Sequence, residues 1–108
     1  MPALFIIQAQ LSPDPAFMAR YKQYQAQVQP LMAQHGGKVL AIGRDLEVME
    51  GQHDGQRLIV LEFPSMAHLK AFWHSDEYAE IKPLRENGAQ VQAWAVPTMT
   101  TEPGELTP

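Results

Sequence analysis

Apolar and polar positions alternate with period two from Ala3 to Leu11 (ALFIIQAQL). Phe5, Ile7, Ala9 and Leu11 fall on one face, and Leu4 and Ile6 begin a second face that turns polar at Gln8 and Gln10. This pattern predicts a strand covered on both sides, at least at one end. The period then changes. Phe17, Tyr21, Tyr24, Val28, Leu31 and His35 recur at alternating spacings of four and three, opposite a face of Arg20, Lys22, Gln23, Gln27 and Gln34. That stripe predicts an amphipathic helix. Asp14 is its expected cap and Pro15 its first residue, and Gly36-Gly37 should end it with a left-handed C-cap. Pro30 lies inside the stripe and should kink or locally break the helix.

Lys38 to Gly43 (KVLAIG) and Leu46 to Glu50 (LEVME) read as one long second strand, interrupted at Gly43-Arg44-Asp45 by a bulge or bend. Gly51 to Gln56 is a hairpin turn. Arg57 to Phe63 (RLIVLEF) is the most apolar strand and should be central. Ser65 caps a second helix whose buried side is Met66, Leu69, Phe72 and Trp73. Ser75-Asp76 marks a break and a new cap, after which Tyr78, Ile81, Leu84 and Arg85 continue at helical spacing to Gly88. Gln90 to Val96 (QVQAWAV) is the fourth strand. No internal repeat is visible.

The order β-α-β-β-α-β predicts an α+β domain over residues 1–97 with the split βαβ, ferredoxin-like topology. Its four-stranded antiparallel sheet should have the first and third strands central and the helices on one face. Residues 98–108 read as a flexible tail, since they offer little to bury. One layer of helices covers one face, yet the third strand carries Ile59, Leu61 and Phe63 on one side and Leu58 and Val60 on the other. Trp94 and Val96 likewise oppose Val91, Ala93 and Ala95. An uncovered apolar face is a liability in a monomer, and burying it against a second copy is the simplest remedy. A homodimer is therefore expected.

Length and composition narrow the partners. With 108 residues the chain makes one domain with one modest core. The net charge is -4 and the basic residues are scattered, which disfavours nucleic acid. There is no Cys, so disulfides, thiolate nucleophiles and Cys-ligated metals are excluded. The N-terminus has neither a basic region nor a small-residue cleavage site, and no apolar run approaches the roughly 20 residues of a membrane helix. A soluble cytoplasmic protein without a membrane partner is the expectation.

Several segments, in order, resemble a bacterial family of unknown function in the dimeric α+β barrel superfamily. They are Asp14-Pro15 before a Tyr-bearing helix, His35-Gly36-Gly37, Glu47-Val48-Met49-Glu50-Gly51, Arg57-Leu58-Ile59-Val60-Leu61-Glu62-Phe63-Pro64-Ser65 and Ser75-Asp76-Glu77-Tyr78. The resemblance spans roughly residues 2–97 and implies a dimeric barrel. The superfamily holds cofactor-independent monooxygenases, heme-handling enzymes, muconolactone isomerases and stress-responsive proteins, and a fold does not choose among them.

Three residues are candidate catalytic groups: His35, Tyr24 and Glu62. His35 closes the helix stripe as a base or ligand contact, or merely sits where a helix dipole favours its charge. Tyr24 and Tyr21 put phenols on a buried stripe, to bind substrate or as core residues with one polar end. Glu62 alternates with Leu58 and Val60; held inside the barrel, its carboxylate needs a partner or a raised pKa. Arg57 is five residues from Glu62 and so faces the opposite side of the strand. Arg57, Arg85, Tyr21, Trp73 and Tyr78 are the candidate ligand-binding residues.

No metal site is expected: His53, His68 and His74 lack ligand spacing, and no Glu-x-x-His or Asp cluster is present. The serines are caps, none in a nucleophile elbow. The leading expectation is a cofactor-independent enzyme, monooxygenase- or isomerase-like, acting on a small apolar or aromatic metabolite between helices and sheet. The alternative is a non-catalytic ligand-binding or stress-associated homodimer, and a weaker one a heme-binding dimer using His35 or His74.

Overall fold

The computed structural model describes residues 1–43, 45–54 and 56–99. The expected tail lies outside the described residues from residue 100 onward, as do Arg44 and Gly55 from the expected bend and turn. The elements are β1 (Ala3–Leu11), α1 (Pro15–Gln34), β2 (Lys38–Gly43), β3 (Arg57–Phe63), α2 (Met66–Trp73), α3 (Asp76–Ile81), a 3₁₀ turn (Lys82–Arg85) and β4 (Ala89–Pro97). The strands pair antiparallel in the order β2-β3-β1-β4, so β1 and β3 are central. This is the ferredoxin-like α+β fold that the element order predicts.

Register assigns each strand residue to a face. The rows Val39–Leu61–Phe5–Ala95, Ile42–Ile59–Ile7–Ala93 and Arg57–Ala9–Val91 face the helices. The rows Lys38–Glu62–Leu4–Val96, Ala41–Val60–Ile6–Trp94 and Gly43–Leu58–Gln8–Gln92 face away. A bulge between Val39 and Ala41 keeps β2 in phase with β3. The core lies on the helix side, where Ala3, Phe5, Leu61 and Phe63 of the sheet meet Val28, Leu31, Leu69, Phe72, Tyr78 and Ile81.

Local signals set the helix ends. The Asp14 side chain accepts from the Phe17 N–H at 3.1 Å, with Pro15 in the first turn. At the other end the Gly37 and Gly36 N–H groups donate to the Met32 and Ala33 carbonyls, with Gly36 at φ 83°. This is a Schellman closure in which glycine supplies the left-handed residue. A side chain at Gly36 would also collide with Pro64, and one at Gly37 with the Phe63 ring. Ser65 and Ser75 cap α2 and α3 by accepting from the His68 and Tyr78 N–H groups, both at 3.1 Å.

Three expectations need correction. The helix does not break at Pro30; α1 is continuous through it to Gln34, although the proline nitrogen has no hydrogen to donate. Leu46–Glu50 does not extend β2. Gly43 already pairs with Leu58, one residue from the start of β3, so no ladder partner is left for the apolar alternation beyond it. Val48 and Met49 are exposed there. Finally, the α-helix stops at Ile81 and tightens into the 3₁₀ turn, because Pro83 lacks the N–H an α-helical turn requires. Asn87, at φ 64°, and Gly88 then reverse the chain into β4. A Cβ at Gly88 would collide with the Phe17 ring, which would have to move. At the far end of β4, Thr98 donates both its N–H and its Oγ1 hydroxyl to the Pro2 carbonyl, each at 2.9 Å.

Candidate functional site

The chain has three tyrosines, and the structure packs all three together. Tyr21 and Tyr24 come from the buried stripe of α1 and stack with ring centroids 5.6 Å apart at 22°. Tyr78 comes from the first turn of α3, fixed there by the Ser75 cap. Its ring lies 4.8 Å from Phe72 and 5.1 Å from Trp73. The Tyr24 and Tyr78 hydroxyls are 2.9 Å apart, within hydrogen-bond distance. Arg85 closes the cluster from the 3₁₀ turn: its Nε donates to the Tyr78 hydroxyl at 3.2 Å, and its guanidinium lies 5.9 Å from the Tyr24 ring centre.

This cluster forms one wall of a cavity of about 100 Å³ between α1, the helical segment after β3 and the covered sheet face. Ile7, Ile59, Leu61, Val28 and Met32 supply apolar walls, and Gln25, Gln29 and Arg57 add polar ones. Val39 and Ile42 of β2 also line it while staying 50% and 54% exposed, so the cavity opens at that edge. The volume is somewhat below the roughly 150 Å³ of an apolar protein cavity that takes up benzene, so a small ring reaching toward the open edge suits it.

The electrostatics of the cluster are set by burial. Arg85 is only 8% exposed, and no Asp or Glu among the described residues lies within ion-pair distance. Burial works against its charge, but the Tyr78 and Tyr24 oxygens outweigh that and hold its pKa above the ordinary guanidinium value. Burial first, and then the adjacent Tyr78, push Tyr24 far above the ordinary phenol range, against the opposing pull of Arg85. Burial also raises Tyr21, with Arg57 and Arg85 opposing. Tyr24 is therefore a protonated donor at neutral pH, not a base.

Six of the eight candidate residues line this cavity: Tyr21, Tyr24, Arg57, Trp73, Tyr78 and Arg85. Two do not. His35 caps α1, its ring edge-on to Phe72 with centroids 6.1 Å apart, and is not among the lining residues. Glu62 faces away from the helices beside Leu4, and its Oε1 is 3.9 Å from Lys38 Nζ in a solvated pair. It therefore cannot share the pocket with Tyr24, because β3 places alternate side chains on opposite faces. Sequence reasoning missed Gln25, Gln29 and Met32. The signal was the i, i+4 row Tyr21–Gln25–Gln29, which runs beside the main stripe. Among the described residues no group of three or more His, Asp or Glu side chains could hold a metal ion.

The fold recurs in solved structures. A protein of unknown function from Rhodopseudomonas palustris is similar at 19% identity and a TM-score of 0.72, over 93% of this chain and 84% of its own. A cofactor-independent oxygenase from Streptomyces nogalater is similar at 10% identity and a TM-score of 0.61, over 94% of this chain and 97% of its own. A dimeric ferredoxin-like protein of unknown function from Bacteroides fragilis is similar at 12% identity and a TM-score of 0.59, over 90% and 96%. No curated protein matches the chain. The family described as a domain of unknown function, DUF1330, matches residues 3–99, and with nearly every described residue inside that match the chain belongs to this family.

Proposed function

We propose that the cavity between α1 and the sheet binds a small, flat, largely apolar molecule through one of its oxygen atoms, and that the protein acts on it as a cofactor-independent enzyme. The observation that carries this reading is the chain of contacts from Arg85 to the Tyr78 hydroxyl to the Tyr24 hydroxyl, at the wall of an otherwise apolar cavity. Pockets of this make-up, apolar with a few convergent polar groups, are the usual form of small-molecule sites.

Tyr24 is the working group. Arg85 and Tyr78 orient it, and its raised pKa keeps the phenol protonated. A substrate oxygen accepting from Tyr24 gains stabilisation as negative charge develops on it, which is worth about 10²–10³ in rate for one well-placed donor. Among the described residues no His, Asp or Glu lines the cavity to take a proton. A proton leaving substrate carbon therefore passes to water at the open edge by Val39 and Ile42. Small aryl ketones and phenols test this. Exchange of ketone α-protons for deuterium, followed by NMR, should be faster with the protein and fall about 10²-fold in Tyr24→Phe, a larger loss than that in binding. Equal exchange in the two proteins would refute the role of Tyr24.

The lack of a base among the lining residues also favours a second reading, a ligand-binding protein without turnover. Saturable binding with no exchange in the wild-type protein would select it.

The assembly belongs to the same proposal. Trp94 and Val96 remain 49% and 44% exposed on the face away from the helices, beside Leu4, Ile6 and Val60. A second copy covering this face makes a homodimer, a state also named for the Bacteroides fragilis protein. Sedimentation showing a monomer at micromolar concentration would overturn it.

A further inference from the structure

The charge inside the cavity narrows the ligand further, an inference that rests on the cavity being a ligand site. Among the described residues two arginines line it, Arg57 from the start of β3 and Arg85 from the 3₁₀ turn, and no carboxylate does. Among the described residues neither has an Asp or Glu within ion-pair distance; the ion pair present is Lys38–Glu62, on the opposite face. The protein as a whole carries net charge -4, so two cations lining a largely apolar cavity without a described carboxylate beside them run against the global balance. Neither guanidinium has a carboxylate partner among the described residues, and an anionic ligand would supply that counter-charge. Tyr21, 6% exposed, lies in the field of both arginines, which oppose the rise in its pKa that burial causes. Arg85 lies against the Tyr24 ring, on which Tyr21 stacks, so the anionic end of the ligand belongs at the Tyr21 side and its flat body toward Phe72, Trp73 and Met32.

We propose that the ligand of this cavity is a small monocarboxylate with a flat apolar body, its carboxylate held by Arg57 and Arg85 beside the Tyr21 hydroxyl. Size and lining argue for a carboxylate over a phosphate. A planar guanidinium matches a carboxylate with two parallel hydrogen bonds. A dianionic tetrahedral group asks for more donors than two arginines and the tyrosines in a cavity of about 100 Å³ with mostly apolar walls.

Calorimetric titration of the full chain with benzoate, benzamide and phenyl phosphate tests this. Benzoate should bind at least about tenfold more tightly than its neutral isostere benzamide, as charge-assisted pairing requires. Arg57 is only half-buried, so Arg57→Gln should fold, and it should abolish most of that advantage while leaving benzamide affinity within about twofold. Equal binding of benzoate and benzamide would overturn the carboxylate assignment and leave the flat-ligand reading standing. Tightest binding of phenyl phosphate would overturn it in favour of a phosphate ester. Binding of none of the three would overturn both readings together.

Discussion

The two faces of the sheet are built from the same strands and both carry apolar residues, yet they differ in what completes them. The helix-covered face holds all four phenylalanines, all three tyrosines and Trp73, locked by ring contacts such as Phe63 on Phe72 at 5.8 Å and Phe5 on Trp73 at 5.6 Å. The other face has one aromatic residue, Trp94, beside Leu4, Ile6, Val60 and Val96, and no described helix lies over it. Specific polar chemistry sits on the first face, where α1 stands off from β2 and leaves a cavity. The second offers a broad apolar surface suited to a second sheet. Apolar alternation alone marks both faces as places to bury surface; ring geometry and polar groups show which one carries a site.

Adjacent residues of β3 give the strongest contrast. Leu61 is 1% exposed and faces the helices, while Val60 faces away. Leu61→Ala should lower unfolding free energy by about 2–5 kcal/mol, the range for truncating a buried leucine. Val60→Asp should leave the monomer folded but weaken the proposed pairing by at least about 100-fold, since an unpaired charge would be buried there. Chemical denaturation combined with sedimentation separates the two. Unfolding by Val60→Asp in dilute protein would show that this face is already part of the monomer core.

Gly88→Ala is a milder probe of the covered face. The added methyl meets the Phe17 ring, so a loss of about 1–3 kcal/mol is expected, as for other over-packed sites. A neutral result would mean Phe17 can swing aside.

Tyr24→Phe should be the gentlest. Losing the Tyr24–Tyr78 hydrogen bond costs about 1 kcal/mol at neutral pH. Its pH dependence has a definite sign. The folded pKa of Tyr24 is raised, so above about pH 10 the unfolded chain loses a proton that the native state retains, and stability falls as pH rises. Denaturation midpoints at pH 7 and pH 10.5 should diverge less in Tyr24→Phe than in the wild type. Since all three tyrosines belong to the cluster, absorbance titration near 295 nm reports on it alone: at least Tyr21 and Tyr24 should ionise later than free phenols.

Much of this was readable in the sequence. The stripe Phe17–Tyr21–Tyr24–Val28–Leu31, the caps at Asp14, Ser65 and Ser75 and the alternation in β1 and β3 are local signals, and local physics decides them. What failed depended on distant partners. Leu46–Glu50 looks like a strand, but β3 has no residues left to pair with it. Glu62 and His35 have the right chemistry, yet one lies across the sheet from the cavity and the other caps a helix against Phe72. The Arg85–Tyr78–Tyr24 contacts join residues separated by 7 and 54 positions, so no single periodicity reveals them.

The most direct test of the site's location uses the two tryptophans, one on each face. Trp73 lines the cavity and Trp94 lies on the opposite face. Titrating the protein with acetophenone while following both indole N–H resonances by NMR should give a saturable shift at Trp73 with Trp94 unmoved. A shift at Trp94 alone, or no saturable shift at either, would contradict a binding site on the helix-covered face.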